Sequence, residues 1–249
     1  MDSSPPAHVM ATALSAKDIV FSYGAGSLRV EVPAFSPAPG VHHLVGLNGS
    51  GKSTFLKVLT GVLRPAEGQV LFHGAAITSA DVFRRYCRGS GYLWQNFQLQ
   101  GRTSTRRYLE YRAWLHGVDP TEARHVAQRA LEAVDLLAAA RTPVGALSGG
   151  MQRRIGIAAE TLHGPQVLLL DEPSSGLDYR ARDLLYDALD QLTAADATII
   201  TVAHEAAELA RYGSTVHVMA DGRLAASRTF RAGEVTAAVL RDLNEEAHQ

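Results

Sequence analysis

The segment Gly46–Thr54, with the sequence GLNGSGKST, places three glycines beside one lysine and three hydroxyl-bearing side chains. It fits the pattern G-x-x-x-x-G-K-[ST], whose backbone N–H groups surround the β- and γ-phosphates of a nucleotide. In that chemistry Lys52 brings a compact positive charge to the phosphates and the Ser53 hydroxyl ligates Mg²⁺. The predicted nucleotide-binding residues of this loop are Asn48, Gly49, Ser50, Gly51, Lys52, Ser53 and Thr54. The pattern leaves the enzyme class open, because kinases, GTPases and motors share it.

Two carboxylates follow the apolar run VLLL at positions 167–170. Such a run predicts a strand buried on both faces, and ligands of open α/β sheets bind at the carboxyl ends of these strands. We therefore expect Asp171 to hold the Mg²⁺ shell through water. Glu172 is the next residue, so its side chain points the other way, and Pro173 favours an extended backbone for it. Glu172 is predicted to polarise the attacking water; the alternative is a charge at a helix start.

A second turn of serine and glycine occurs in LSGGMQRR, at positions 147–154. Ser148 is a good N-cap for the helical segment that follows, and a helix start offers free N–H groups and a positive dipole end to an anion. Because the loop at 46–54 already serves one set of phosphates, the simplest target for this turn is the nucleotide of another copy. The alternative is an ordinary N-cap with glycines for close packing.

These motifs, in this order, resemble those of the ATP-binding cassette (ABC) ATPases, and the resemblance covers nearly all of residues 14–225. The family's signature motif is matched by Leu147–Met151, with methionine in place of the glutamine most often found there. The resemblance implies that the nucleotide is ATP, that Mg²⁺ accompanies it, and that the protein hydrolyses it. It also implies two cassettes packed head to tail, in which Ser148, Gly149 and Gly150 complete the ATP site of the opposite subunit.

Four further residues acquire roles from the same resemblance. Tyr23, in FSYG, would stack on adenine, or it is a half-buried strand tyrosine. Gln95, in GYLWQN, would reach the Mg²⁺ shell and a moving segment, or it is a surface glutamine. His204, at the end of TIITVAH, would contact the γ-phosphate and orient the water with Glu172, although a histidine that ends a strand is usually structural. Asp178, in SSGLD, would cross to the partner subunit, cap the next helix, or do both.

The elements that must position these residues are indicated by hydrophobic periodicity. The runs AKDIVFSYG and LRVEVPAF predict an antiparallel pair, and GVHHLVG predicts a strand that ends at the first glycine loop. From Pro165 strands and helices alternate, which favours a parallel sheet. The predicted fold class is α/β: a P-loop (RecA-like), mainly parallel sheet with flanking helices, an N-terminal antiparallel β subdomain and an α-helical insert. The predicted divisions are a disordered tail at 1–13, the ATPase domain at 14–225 with the insert at about 96–146, and a C-terminal tail at 226–249.

Composition limits the class of protein further. With 249 residues and 46% hydrophobic content, the chain can bury a full core as one domain or as a domain with an insert. Its formal net charge of −1 gives no reason to expect a nucleic-acid surface. No run approaches the roughly 18 apolar residues of a membrane helix. We expect a cytoplasmic chain that lies on the inner face of the cell membrane through a partner.

The resemblance also implies partners. These are a second ATP-binding subunit, which we expect to be an identical copy, and a separate membrane permease that docks beside Gln95 and the helical insert. Residues 91–118 most resemble the corresponding segment of bacterial exporter-type ATPases. The arginines Arg102, Arg106 and Arg107 would face the permease or form a solvated helix face.

Two other functions remain open from the sequence. A soluble ABC-type ATPase acting on ribosomes or DNA would share every motif, although such proteins usually carry two cassettes in one chain or a long coiled-coil insertion. A P-loop kinase would use the loop at 46–54 but would leave the turn at 147–151, Gln95 and His204 without roles.

Overall fold

The computed structural model describes residues 12–24, 26–203 and 206–247. Its strands are β1 (Leu14–Ser22), β2 (Arg29–Phe35), β3 (Gly40–Val45), β4 (Glu67–Phe72), β5 (Ala75–Ala76), β6 (Ser90–Leu93), β7 (Val167–Asp171), β8 (Thr198–Val202), β9 (Ser214–Ala220) and β10 (Arg223–Phe230). Its α-helices are α1 (Lys52–Leu59), α2 (Ala80–Gly89), α3 (Thr105–Leu115), α4 (Pro120–Ala133), α5 (Gly149–Thr161), α6 (Tyr179–Ala194), α7 (Ala206–Ala210) and α8 (Ala237–Glu246).

In the part of the chain that the structure describes, the ten strands form one sheet, in the order β5-β4-β1-β2-β10-β9-β3-β8-β7-β6. The strands β9, β3, β8, β7 and β6 run parallel, whereas β1 pairs antiparallel with β2 and β4. Every residue of β7 and β8 is buried, as expected for apolar strands covered by helices on both faces. The predicted fold class, with its parallel core and N-terminal antiparallel part, is confirmed.

The parallel strands bring their carboxyl ends to one edge of the sheet. Strand β3 ends at Val45, immediately before the glycine loop, and β7 ends at Asp171. Strand β8 lies between them and pairs with both. The topology therefore places the glycine loop and the two carboxylates, which are more than a hundred residues apart, at one edge.

The chain between β6 and β7 is helical, with one isolated bridge between Ser104 and Pro143. Leu109 of α3 and Leu131 of α4 pack with Ile155 of α5 in one apolar cluster. On another face of α5, Ile157 packs with leucines of the sheet. Helix α5 thus belongs to the core of the insert and to the core of the sheet.

An ion pair also joins the insert to the sheet. The Arg112 guanidinium of α3 lies 2.5 Å from Glu160 Oε1 of α5. The other carboxylate oxygen of Glu160 accepts a hydrogen bond of 3.0 Å from the backbone N–H of Tyr92, in β6. Burial raises the pKa of Glu160, while Arg112 and the Tyr92 N–H oppose that shift. One buried carboxylate therefore connects three elements.

The two ends of the chain differ from each other. The predicted tail at 1–13 lies outside the described residues except for its last two positions. The segment predicted as a C-terminal tail holds the second half of β10 and helix α8, and Val235 and Leu243 are buried beside β9 residues. This part is packed because apolar side chains recur on one face of α8. Among the residues described, no helix is long and apolar enough to span a membrane.

Candidate nucleotide-binding site

The glycine loop leads directly from β3 into α1. Gly46 has φ 142°, and a Cβ atom there would lie 2.2 Å from the carbonyl oxygen of Met219. The N-cap of α1 is Gly51, at φ 101°, which has no side chain to accept hydrogen bonds from the first turn. These first N–H groups are therefore directed to an external acceptor, and a phosphate satisfies both them and the helix dipole.

Lys52 and Ser53 begin α1, and each donates a side-chain hydrogen bond at this end of the helix. The Lys52 ammonium donates to the carbonyl oxygens of Gly46 and Leu47 at 2.9 and 2.8 Å. Burial lowers the pKa of Lys52, whereas Glu172 and Asp171 favour its charged form. The Ser53 hydroxyl donates to Asp171 Oδ1 at 3.0 Å. Burial raises the pKa of Asp171, and the hydrogen bond from Ser53 opposes this.

The donor set at this point suits Mg²⁺. A hydroxyl and a carboxylate are hard oxygen ligands, and Mg²⁺ usually takes only one or two from the protein, with water and phosphate supplying the rest. Ser53 and Asp171 lie within hydrogen-bond distance of each other at the start of α1. No group of three or more histidine, cysteine, aspartate or glutamate side chains among the described residues forms a metal cluster. The pair fits an ion held jointly with a nucleotide phosphate.

Glu172 adopts a backbone conformation that the sequence does not predict. Its φ is 50°, so the expectation of an extended backbone is wrong. The residue leaves β7 in the left-handed region because tertiary contacts hold both of its peptide groups: its N–H donates to the Val202 carbonyl and its own carbonyl accepts from Arg153. Gln95 Nε2 donates to Glu172 Oε2 at 2.8 Å. The predicted catalytic carboxylate and the predicted glutamine are thus in contact.

An open cleft of about 730 Å³ gathers most of the predicted residues. Those that line it are Tyr23, Asn48, Gly49, Gly51, Lys52, Ser53, Thr54, Gln95 and Glu172. Tyr23 is 61% exposed, which leaves its ring accessible to a planar ligand. Leu28 also lines the cleft, and nothing in the sequence distinguishes it from any other exposed apolar residue of a turn. Ser50 is buried, and its carbonyl accepts from Gly222.

The second serine turn does not line this cleft. Ser148 begins α5, and its hydroxyl accepts from the Met151 N–H at 3.3 Å. A Cβ atom at Gly149 or Gly150 would meet no atom of the described chain within 4 Å. Asp178 caps α6 by accepting from the Ala181 N–H at 2.8 Å, which is the local role left open for it. His204 lies outside the described residues.

One residue that sequence reasoning missed is Arg153. It lies on α5 five residues after Ser148, is only 6% exposed, and donates to main-chain carbonyls of the segments that carry Gln95 and Glu172. The only signal in the sequence is a charge on the face of α5 that also carries Ile157 and Glu160, at spacings of four and seven.

Comparison with known proteins identifies the family of this arrangement. A family model described as ABC transporter matches residues 37–175. A Nod factor export ATP-binding protein I of Burkholderia thailandensis is 35% identical over 79% of this chain and 64% of its own length. An Fe(3+) ions import ATP-binding protein of Streptomyces avermitilis is 34% identical over 75% of this chain and 53% of its own. The chain thus spans less than two thirds of these curated relatives.

A solved structure agrees with the whole fold. It is described as the structure of the ATP binding subunit of an ABC transporter, and it superposes with a TM-score of 0.83 at 26% identity. The match covers 96% of this chain and 100% of the other. The ten-strand sheet and the helical insert are therefore shared with a protein of that description.

Proposed function

The chain belongs to the ABC transporter family, and on that premise we propose that it is the ATP-binding and ATP-hydrolysing subunit of an ABC transporter. Two such subunits close around two Mg-ATP and drive a separate membrane permease, in the direction of export. The observation that supports this most is the cleft itself, which joins a phosphate loop, the Ser53–Asp171 pair and the Gln95–Glu172 contact.

The residues of the cleft divide the hydrolysis among them. The loop N–H groups and the Lys52 ammonium offset the negative charge of the phosphates while water attacks the γ-phosphorus. Glu172 polarises that water, and Gln95 holds the carboxylate in place. Ser53 and Asp171 would hold Mg²⁺, which would supply Lewis-acid stabilisation of the phosphate oxygens. His204, which is not among the described residues, is proposed to orient the attacking water.

A second copy completes the site. The turn at Ser148 presents a helix start whose glycines face open space, so that a phosphate of the opposite subunit can approach the backbone closely. ATP then contacts two chains in the closed dimer and one chain in the open state. This differential affinity drives closure, and loss of the γ-phosphate allows opening.

The partner that uses this motion is proposed to be a permease. Beside Gln95 lies Trp94, which is 44% exposed, and the neighbouring helix α3 exposes Tyr111 and Trp114. Aromatic side chains are enriched in protein interfaces, so this face suits a partner helix. Through that partner the chain lies on the inner face of the cell membrane. Export is proposed from the likeness of residues 91–118 to exporter-type ATPases.

The first experiment traps the dimer. Glu172→Gln slows hydrolysis but retains every phosphate contact, so we expect a dimer at saturating Mg-ATP in size-exclusion chromatography. Adding Lys52→Ala to the same chain removes the positive charge that faces the phosphates. We expect the double variant to be a monomer. A Glu172→Gln chain that stays monomeric with bound Mg-ATP would contradict the sandwich.

The second experiment identifies the partner. The tagged chain is expressed in its native cell, membranes are solubilised gently, and the copurifying proteins are identified. Recovery of a multi-span membrane protein supports the transporter. Ribosomal or DNA-associated proteins in its place would assign the same ATP-driven dimer to the alternative function. Transport assays with inverted vesicles that contain the recovered permease then decide between export and import.

A further inference from the structure

The Arg153 guanidinium is saturated by main-chain acceptors. Its Nε donates to the Pro173 carbonyl at 3.2 Å. One terminal nitrogen donates to Trp94 and Gln95 at 2.8 and 2.9 Å. The other donates to Asp171 and Glu172 at 3.0 and 2.6 Å. An arginine has five N–H donors in a fixed planar fork, so each donor has one carbonyl.

These five carbonyls come from only two segments. One segment is the end of β6 with the loop that carries Gln95, and the other is the end of β7 with the carboxylates Asp171 and Glu172. The side chain of Gln95 in turn donates to the Glu172 carboxylate. Arg153 therefore fixes the main chains on both sides of the contact that positions the predicted base.

The fixed main chain is also a strained one. Glu172 has φ 50°, a region that costs a non-glycine residue energy and persists only where its surroundings impose it. The Arg153 bond of 2.6 Å to the Glu172 carbonyl is one such restraint, and the Val202 carbonyl that accepts from the Glu172 N–H is another. Loss of the first restraint leaves the residue able to relax toward an unstrained φ, which moves its carboxylate.

We propose that Arg153 is a positioning residue for ATP hydrolysis: it ties the backbone of Glu172 and the Gln95 loop to the helix whose first turn is Ser148. The inference rests on the proposed function of the cleft. Helix α5 would then have two roles. Its start presents Ser148 to the nucleotide of the other subunit, and its Arg153 positions Glu172 beside the nucleotide of its own chain. A movement of α5 would therefore change the geometry of both nucleotide sites of a dimer.

The test uses Arg153→Lys and Arg153→Gln in the full-length chain. A lysine keeps the charge but has three donors on one nitrogen, and it cannot span both segments. We expect kcat for Mg-ATP to fall by about 10-fold to 10²-fold, as for a misplaced catalytic group, while KM changes less than about 3-fold. The glutamine variant is expected to lose at least as much turnover.

A double-mutant cycle separates positioning from general damage. If Arg153 acts through Glu172, then Arg153→Lys should change the residual turnover of Glu172→Gln by less than about 2-fold, because the group it positions is already disabled. A purely structural role would lower both backgrounds by the same factor. The matched control is Arg154→Lys: this neighbouring arginine donates to the Val134 carbonyl, away from the segments of Gln95 and Glu172, and its replacement should leave kcat unchanged.

Each outcome bears on one proposal. Wild-type protein that does not hydrolyse Mg-ATP, alone or with its permease, would contradict the proposed function. An active wild type with unchanged kcat in Arg153→Lys and Arg153→Gln would overturn only the positioning role. Additive losses would overturn it as well. So would failure of both variants to fold, judged by thermal unfolding, because the arginine would then serve the fold and not the base.

Discussion

The glycine loop at 46–54 and the serine turn at 147–151 are both rich in glycine, and they are built differently. In the loop at 46–54, Gly46 packs against the Met219 backbone and Gly51 packs near Val30 and Leu28. In the turn at Ser148, the two glycines adjoin open space. In the first loop, a Cβ atom at Gly46 or Gly51 would meet other parts of the chain, whereas one at Gly49 would meet no described atom within 4 Å. In the second turn, no atom of the described chain would meet a Cβ atom within 4 Å, which agrees with the proposed approach of an external phosphate.

The polar contacts of the two turns differ in the same way. Lys52 and Ser53 contact groups from distant parts of the chain, including Asp171 at a sequence separation of 118. Among the described residues, the hydroxyl of Ser148 has its hydrogen bond with the Met151 N–H, within its own helix turn. The first turn thus joins residues proposed to hold the metal ion to the segment of Glu172, the proposed base. The second turn is proposed to bind a phosphate of another subunit.

The largest expected effect is the change in the free energy of unfolding when one glycine of each turn is replaced by alanine. Gly46→Ala places a Cβ against Met219 at a strained φ, and the two costs, about 1–3 kcal/mol each, should lower the free energy of unfolding by about 2–6 kcal/mol. Gly150 lies in a helix with open space around it, so Gly150→Ala should raise the free energy of unfolding by up to about 1 kcal/mol. Urea unfolding measures both changes. A stable Gly46→Ala protein would remove the contrast between the turns.

A second prediction tests the outward role of the serine turn. Ser148→Arg introduces a bulky cation where the partner's phosphate is expected, so turnover should fall by about 10²–10³, the loss typical of an oxyanion contact. ATP binding to the monomer, measured with a fluorescent analogue, should remain within about 2-fold, because the turn does not line the cleft. If binding fell together with turnover, the turn would serve its own chain and the comparison would fail.

A third prediction concerns the exposed aromatic ring at the rim of the cleft. Tyr23→Ala removes a stacking surface, and we expect ATP affinity to fall by about 1–3 kcal/mol, as for other base–aromatic contacts. Tyr23→Phe retains the ring and is the control, with affinity near that of the wild type. The ring of Tyr23 rests edge-on against Phe21, with centroids 5.0 Å apart, so it is already oriented. Equal losses in both variants would mean that the hydroxyl, not the ring, binds ATP.

The smallest expected effect is the pH dependence of stability that arises from a histidine buried in the core. His43 is buried in β3, and burial lowers its pKa to about 3, with His42 and His217 adding to the shift. A folded pKa below the unfolded value means that the unfolded chain binds more protons, so stability is lost as pH falls from about 6.5 toward 3. At pH 5 one such histidine costs about 2 kcal/mol.

The variant His43→Leu tests this assignment. It keeps an apolar side chain of similar size at the same strand position and removes the titrating ring. Urea unfolding at pH 7.5 and pH 5 should show a smaller loss of stability than in the wild type, by about 2 kcal/mol. Carboxylates titrate in both proteins and cancel in the difference. An unchanged loss would assign the acid sensitivity to other groups.

The sequence predicted what local patterning controls. The P-loop pattern, the apolar run before Asp171 and the N-cap at Ser148 each depend on residues close in sequence, and the structure places each at a strand end or a helix start. The site roles given to these residues stay predictions. Helix α2 and the strands β4 and β5, of which β5 lies at an edge of the sheet, received no prediction.

Features decided by long-range contacts were beyond such reasoning. The left-handed backbone of Glu172 depends on Arg153 and Val202, which are 19 and 30 positions away from it in sequence. Propensity rules consider Pro173 and predict the opposite conformation. The position of β3 between β8 and β9 is likewise a property of the whole sheet. What the sequence left out is the tertiary framework that forces a few residues out of their local preference.

The double membership of α5 has a consequence for how the protein folds. Ile155 belongs to the apolar cluster of the insert and Ile157 to that of the sheet, and Glu160 joins Arg112 to β6. If the insert were separated from the rest of the chain, it would lose α5, which completes its apolar cluster. The rest of the chain would keep α5 but would expose the face of this helix that packs against the insert. The two parts should therefore gain their hydrogen-exchange protection together, as one cooperative folding unit.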